Sequence, residues 1–146
     1  MGGEGEFHTL KGYRQIIGGE ITESMEDYLE MLSRHMREKG YMRIGELAEQ
    51  LHVRPSSASK MGVRLRELGL VQFEKYGLIT LTDKGLKTGR YLLWRHEVLT
   101  RFFCWLNGEG DQLRQVERVE HFMEPETVLH LEEFMNRLRE EPSGPQ

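Results

Sequence analysis

Six acidic and histidine side chains have spacings that suit metal binding. They are Asp27, Glu30, His96, Glu117, Glu120 and His121. The first two are three residues apart, and the last three follow the pattern i, i+3 and i+4. Residues three and four apart share one face of an α-helix, so each group would present its side chains together. His96 lies within an apolar stripe, where an imidazole needs a polar partner.

This ligand set favours a particular class of metal. Oxygen-rich ligation without sulfur suits hard divalent ions such as Mn²⁺, and it tolerates Fe²⁺. Four carboxylates also balance the charge of two divalent ions. Each group has a simpler explanation by itself: acids favour a helix N-terminus, Arg114 and Arg118 can pair with the later acids, and a lone histidine is usually a core residue. Their occurrence together in one chain favours the metal site.

A second group of residues suits binding to a polyanion. No acidic residue occurs from Val53 to Arg66, and the hairpin tip that follows offers Lys75 and Tyr76. Pro55 suits the first position of a helix, where its missing N–H has no partner to lose. The candidate DNA-binding residues are Arg54, Pro55, Ser56, Ser57, Ser59, Lys60, Arg64 and Lys75.

The charge distribution supports two different partners. The chain has a formal net charge of −4 at pH 7, but the charges are segregated. Residues 1–52 hold six Lys/Arg and ten Asp/Glu. Residues 53–108 hold ten Lys/Arg and four Asp/Glu, whereas residues 109–146 hold four Lys/Arg and ten Asp/Glu. A basic middle suits a polyanion, and acidic flanks suit cations.

Length and composition set further limits. With 146 residues, the chain can form one or two small cores. No apolar stretch is long enough to span a bilayer, and the N-terminus lacks the apolar region of a secretory signal. A single cysteine, Cys104, excludes an internal disulfide framework. These features predict a cytoplasmic protein without a membrane partner.

The residue periodicity predicts a mainly α fold with a small β-hairpin. Predicted helices lie at 22–39, 44–51, 55–69, 83–106, 110–122 and 125–140, and predicted strands lie at 70–73 and 78–82. Three helices followed by a hairpin form the order of a winged helix-turn-helix, whose second motif helix lies in the major groove of DNA. We therefore predict an arm at 1–21, a DNA-binding domain at 22–83, a helical metal-binding and dimerisation domain at 84–141, and a tail at 142–146.

Four sequence runs carry a family resemblance. MEDYLEML (25–32), PSSASKM (55–61), RHEVL (95–99) and VERVEHFM (116–123) resemble the short manganese-responsive branch of the diphtheria-toxin-repressor family. The resemblance covers residues 22–140 and implies that the six candidate ligands bind a pair of Mn²⁺ ions through bridging carboxylates. Iron-responsive members carry methionine in place of Asp27 and cysteine in place of Glu117, so both differences favour manganese. The longer N-terminal arm departs from the short branch.

These observations predict a Mn²⁺-responsive transcriptional repressor of metal-uptake genes. Aromatic residues at 94, 102, 103 and 105 exceed what so small a domain buries, which favours a homodimer on a palindromic double-stranded operator. An Fe²⁺-responsive regulator and a metal-independent winged-helix regulator of an organic ligand are the alternatives. An enzyme is not expected, because two-metal bundle oxidases usually carry two Glu-x-x-His pairs, whereas Glu117 and His121 are four residues apart.

Overall fold

A computed structural model describes residues 21–140 of the chain. Its elements, in order, are α1 (Glu23–Met36), β1 (Met42–Arg43), α2 (Ile44–Gln50), α3 (Pro55–Glu67), β2 (Val71–Phe73), β3 (Leu78–Leu81), α4 (Asp83–Asn107), α5 (Leu113–Val119) and α6 (Pro125–Glu140). Short 3₁₀ turns lie at Lys75–Gly77 and Glu120–Phe122. The mainly α fold with a small β wing is confirmed. Apart from Ile21, the predicted arm and tail lie outside the described residues.

The sheet has one strand more than the predicted hairpin. The strand order is β1-β3-β2, and both pairings are antiparallel. Met42 pairs with Ile79, and Val71 pairs with Leu81. The two-residue strand β1 is too short to show an alternating pattern, so the sequence did not predict it.

Helix α1 supplies the central apolar face of the first part of the chain. Met25, Leu29 and Leu32 on this helix are at most 1% exposed. The side chain of Thr22 caps the helix by accepting a hydrogen bond from the Met25 N–H at 3.2 Å. The helix ends at Met36 rather than at the predicted position 39, and the following turn accepts hydrogen bonds from Arg37, Glu38 and Lys39 at one carbonyl, that of His35.

The start of α4 is joined closely to the strands before it. Thr82 is the capping side chain of α4: its Oγ1 accepts a hydrogen bond from the Gly85 N–H at 3.1 Å. The same hydroxyl donates to the Gly69 carbonyl at 2.6 Å. A Cβ on Gly85 would overlap the carbonyl oxygen of Leu70. Helix α4 therefore requires glycine at position 85 in order to approach the chain that leads into β2.

The described residues form two compact units that divide within α4, between Leu93 and Trp94. Unit 1 contains α1, the helix-turn-helix and the sheet, and unit 2 contains the rest of α4 with α5 and α6. In unit 2, Val98, Val128 and Met135 form a buried apolar cluster. Trp94 packs against this cluster and donates its indole N–H to Glu132 at 3.0 Å. The proposed domain boundary between residues 83 and 84 stays a prediction.

The close contact at Gly85 yields a stability prediction. We expect Gly85→Ala to lower the free energy of unfolding by about 2 kcal/mol or more, because the methyl group displaces backbone. The matched control is Gly45→Ala in α2, where a Cβ meets nothing within 4 Å. The control should raise stability by about 0.5–1 kcal/mol through helix propensity. Urea unfolding followed by circular dichroism measures both, and equal effects would refute this account of position 85.

Candidate metal centre and DNA-binding surface

The turn between α2 and α3 holds these helices as a compact pair. The Val53 N–H donates to the Ala48 carbonyl at 2.9 Å, and His52 adopts a left-handed backbone with φ of 56°. Helix α3 then begins at Pro55 and buries Ala58, Gly62 and Leu65. The face of α3 that carries the predicted DNA contacts is therefore the one left toward solvent.

Almost all of the predicted DNA-binding side chains are exposed in unit 1. Arg54, Pro55, Ser56, Ser57, Lys60, Arg64 and Lys75 are exposed, and Ser59 is half-buried. Arg66 has a different position from the other cations, because its Nη1 donates to the Phe73 carbonyl at 3.1 Å. It links the end of α3 to β2. The exposed cations on α3 form a surface suited to phosphate and base edges.

The tip of the hairpin presents an aromatic side chain to solvent. Tyr76 is 93% exposed and has a positive φ of 68°. Gly77 follows with φ of 74°, so two successive residues are left-handed. A non-glycine residue in this region carries a conformational cost. The tip thus projects Lys75 and Tyr76 away from the sheet.

Asp27 and Glu30 lie one turn apart on α1, in unit 1. Asp27 is exposed, and Glu30 is half-buried. Glu30 accepts a hydrogen bond from Arg34 Nη2 at 3.0 Å, in an i, i+4 ion pair. The spacing predicted from the sequence is therefore present on a regular helix.

The remaining four candidate ligands lie in unit 2, in a geometry that differs from the prediction. Helix α5 ends at Val119, so Glu120 and His121 lie in the following 3₁₀ turn and not on the face of a continuous helix. Glu120 is only 2% exposed, and His121 is half-buried. His96 of α4 lies next to the buried acid, with Nδ1 3.6 Å from Oε2. Glu117 is exposed on α5.

Sequence reasoning missed Arg95, which is a buried partner of this acid. Arg95 Nη2 lies 3.4 Å from Oε1 of Glu120, and both side chains are 2% exposed. The two oxygens of Glu120 thus face two consecutive residues of α4. Arginine is rarely fully buried unless it is paired, and the only signal in the sequence is its position directly before His96.

The donor chemistry of these residues fits a divalent metal. A buried carboxylate beside an imidazole offers hard oxygen and nitrogen ligands in a water-poor environment. Burial of charged groups is costly unless they are paired, and Glu120 is held inside unit 2 by its neighbours. Glu120 and His96 would be ligands of an ion from unit 2, and the ion would supply positive charge to the Glu120 carboxylate.

Comparisons with known proteins agree with both surfaces. The model of the iron dependent repressor N-terminal DNA binding domain matches residues 20–79, and that of the iron dependent repressor metal binding and dimerisation domain matches residues 82–146. The HTH-type transcriptional regulator MntR of Lysinibacillus sphaericus (strain C3-41) is 35% identical over 122 residues, which cover 83% of this chain and 88% of that protein. MntR of Bacillus subtilis (strain 168) is 35% identical over 121 residues, covering 82% and 85%.

A solved structure shares the fold. The crystal structure of IdeR from T. acidophilum superposes with a TM-score of 0.66 at 22% sequence identity. The match covers 80% of this chain and 55% of IdeR, so the chain spans about half the length of that protein.

The fold and the site define a class: DNA-binding transcriptional repressors with a winged helix that respond to a metal ion. The chain belongs to the iron-dependent repressor family, and its similarity to the MntR proteins agrees with the predicted manganese-responsive branch. It carries a DNA-binding domain and a metal-binding and dimerisation domain, and it is a regulator rather than an enzyme. The predicted function class is confirmed.

Among residues 21–140, no helix combines the length and the apolar character that crossing a bilayer requires.

The exposed cations of α3 yield a prediction about DNA. We expect Arg54→Ala and Lys60→Ala to weaken binding to the operator. Each removes an exposed positive charge: Arg54 directly precedes α3, and Lys60 lies on it. Loss of one phosphate contact should reduce the slope of log affinity against log salt by about one unit. Fluorescence anisotropy over a salt series measures this slope.

Arg137→Ala is the matched control, since Arg137 is an exposed cation on α6 in unit 2. It should retain wild-type DNA affinity, and all three variants should bind metal as the wild type does. Unchanged operator affinity in both Arg54→Ala and Lys60→Ala would show that DNA binds a face other than the exposed face of α3.

Proposed function

We propose that this chain represses metal-uptake genes in response to Mn²⁺, as a homodimer bound to a palindromic operator. One observation carries the proposal: the same chain contains an exposed cationic helix-turn-helix and a buried carboxylate beside an imidazole. The two surfaces use opposite charges, so DNA and a cation have separate binding sites. The MntR relatives support the choice of manganese within the family.

The proposed ligands are the six residues predicted from the sequence, and they bind two ions per subunit. They are Asp27, Glu30, His96, Glu117, Glu120 and His121. The contact between His96 and Glu120 supports the set directly. The pattern of exposure adds a distinction, because Asp27 and Glu117 are exposed whereas Glu120 is buried. The exposed acids could change conformation as ligands of an ion, whereas Glu120 cannot move without losing its buried contacts.

The proposed mechanism follows from where the ligands occur along the chain. Asp27 and Glu30 precede the DNA-binding helices, and the other four ligands follow them. Without metal, Arg34 pairs with Glu30 and Arg95 pairs with Glu120. The remaining repulsion among the four carboxylates favours mobility of the segments that carry them. Bound ions supply the positive charge that removes this repulsion. The ligands then hold both parts of the chain, and the two recognition helices of the dimer keep the spacing of operator half-sites, about one helical turn.

Exposed apolar side chains of unit 2 offer a surface for the proposed homodimer. Trp105 and Leu106 at the end of α4 are more than half exposed, and Phe134 on α6 is 44% exposed. The Trp105 and Phe134 rings lie 6.5 Å apart in an edge-to-face arrangement. Exposed apolar clusters of this kind are typical of protein interfaces. We therefore propose that this surface contributes to dimerisation.

Metal dependence of DNA binding is the central prediction. We expect Mn²⁺ to raise affinity for the operator by about 1–3 kcal/mol, which is the usual size of allosteric coupling. The measurement is operator binding in Mn²⁺, in Fe²⁺ and in chelator, with a scrambled duplex as the control. Equal affinity in Mn²⁺ and chelator would refute the proposal and favour a metal-independent regulator. A stronger response to Fe²⁺ would favour the iron-responsive alternative.

Ligand softness yields a prediction about metal choice. Asp27→Met replaces a hard oxygen with a softer thioether, so we expect its response to shift from Mn²⁺ towards Fe²⁺. Zn²⁺ should bind the wild type without activating it fully, because Zn²⁺ prefers four ligands in a tetrahedron. Operator binding titrated with each metal provides the test.

Glu23→Met is the matched control, because Glu23 is another exposed acid of α1 outside the proposed ligand set. It should leave the Fe²⁺ to Mn²⁺ response ratio unchanged. If Asp27→Met also leaves this ratio unchanged, or if Zn²⁺ fully activates the wild type, the softness argument is wrong.

A further inference from the structure

The ion pair between Arg95 and Glu120 is the most deeply buried pair of opposite charges whose contact is described in unit 2. Both side chains are 2% exposed, and Nη2 lies 3.4 Å from Oε1. By contrast, Arg101 on the same helix lies 4.0 Å from Glu132, and its side chain is 33% exposed. Burial excludes most of the water that would screen the first pair, so its charges interact far more strongly than charges at the surface.

The same carboxylate also faces His96. Oε2 of Glu120 lies 3.6 Å from Nδ1 of the imidazole, while Oε1 lies toward the guanidinium. Arg95 and His96 are consecutive residues of α4, and one acid contacts both. Glu120 is therefore shared between a permanent cation of the chain and a residue with metal-ligand chemistry.

We propose that Arg95 acts as an internal cation that competes with the metal ion for Glu120 and thereby sets the metal concentration to which the protein responds. Without metal, Arg95 compensates the buried charge of Glu120. A cation ligated by the same carboxylate is held close to a like charge, and this repulsion weakens binding. This inference rests on the proposed function, because it assigns a regulatory role to a neighbour of a proposed ligand.

Arg95→Gln is the decisive variant, because the amide still donates a hydrogen bond but carries no charge. We expect this variant to bind Mn²⁺ about tenfold more tightly than the wild type in isothermal titration calorimetry. Arg95→Lys, which retains the charge, should bind Mn²⁺ more weakly than Arg95→Gln. Arg101→Gln is the matched control for loss of a charge from α4, and it should retain wild-type affinity.

Stability without metal gives a second readout. Removal of one partner from a buried ion pair leaves the other charge uncompensated. We expect Arg95→Gln to melt at least about 5 °C below the wild type in chelator, and Mn²⁺ should raise its melting temperature more than that of the wild type. Arg95→Gln combined with Glu120→Gln should recover part of the loss in chelator, because position 120 then carries no buried charge that needs Arg95.

Each outcome has a distinct meaning. Equal or weaker Mn²⁺ binding by Arg95→Gln would overturn the competition, since orientation of Glu120 by Arg95 would then outweigh repulsion. If this variant melts below the wild type in chelator as expected, a melting-temperature increase with Mn²⁺ no larger than that of the wild type would overturn the competition equally. If the wild type itself binds no Mn²⁺, the proposed function fails instead. Failure of the further inference is thus separable from failure of the proposed function.

Discussion

The charge of Glu120 is the constraint on which unit 2 depends. A carboxylate that is 2% exposed is stable only if nearby groups replace the water that it has lost. The Arg95 guanidinium does so from α4, with His96 beside it, and Glu120 itself lies in a 3₁₀ turn directly after α5. This buried contact therefore ties the connection between α5 and α6 to the long helix. Displacement of the turn would expose or isolate two charged groups at once.

Hydrogen bonds from side chains to backbone carbonyls connect the elements of unit 1. Lys84 Nζ donates to the Leu68 carbonyl at 3.1 Å, and the Thr82 hydroxyl donates to the Gly69 carbonyl. These hydrogen bonds join the start of α4 to the turn that follows α3. Arg66 bonds to β2 from the same helix. As a result, the exposed cations of α3 and the hairpin tip belong to one firmly connected surface. A surface of fixed shape suits a partner as regular as duplex DNA.

The separation of charge explains how an acidic protein belongs to a DNA-binding family. Its net charge of −4 combines acidic flanks with a basic middle. In the structure, Arg54, Lys60 and Arg64 are exposed in unit 1, whereas Glu120 is buried in unit 2. Salt screens interactions between exposed charges over a distance of about 10 Å, so a partner responds mainly to the charges of the surface that it contacts. The local charge of each surface, rather than the sum over the chain, thus governs its partner.

The sequence by itself determined most of the helices and the wing, and it identified a run of candidate DNA-binding side chains that the structure leaves largely exposed. Strong helical periodicity and the Pro55 start are local signals, because they act within one or two turns of the chain. The spacing of Asp27 and Glu30 was equally local, and it is present on α1.

Only the tertiary structure decided the surroundings of Glu120. The end of α5 at Val119, the contact with His96 and the burial of Arg95 depend on residues 24 or 25 positions apart in the chain. Such contacts arise from packing, which no periodic pattern encodes. Strand β1 is a similar case, since two residues acquire strand geometry only by pairing with β3. Local spacing identified the candidate ligands, whereas folding determined which charge lies beside them, because burial is a property of the assembled chain.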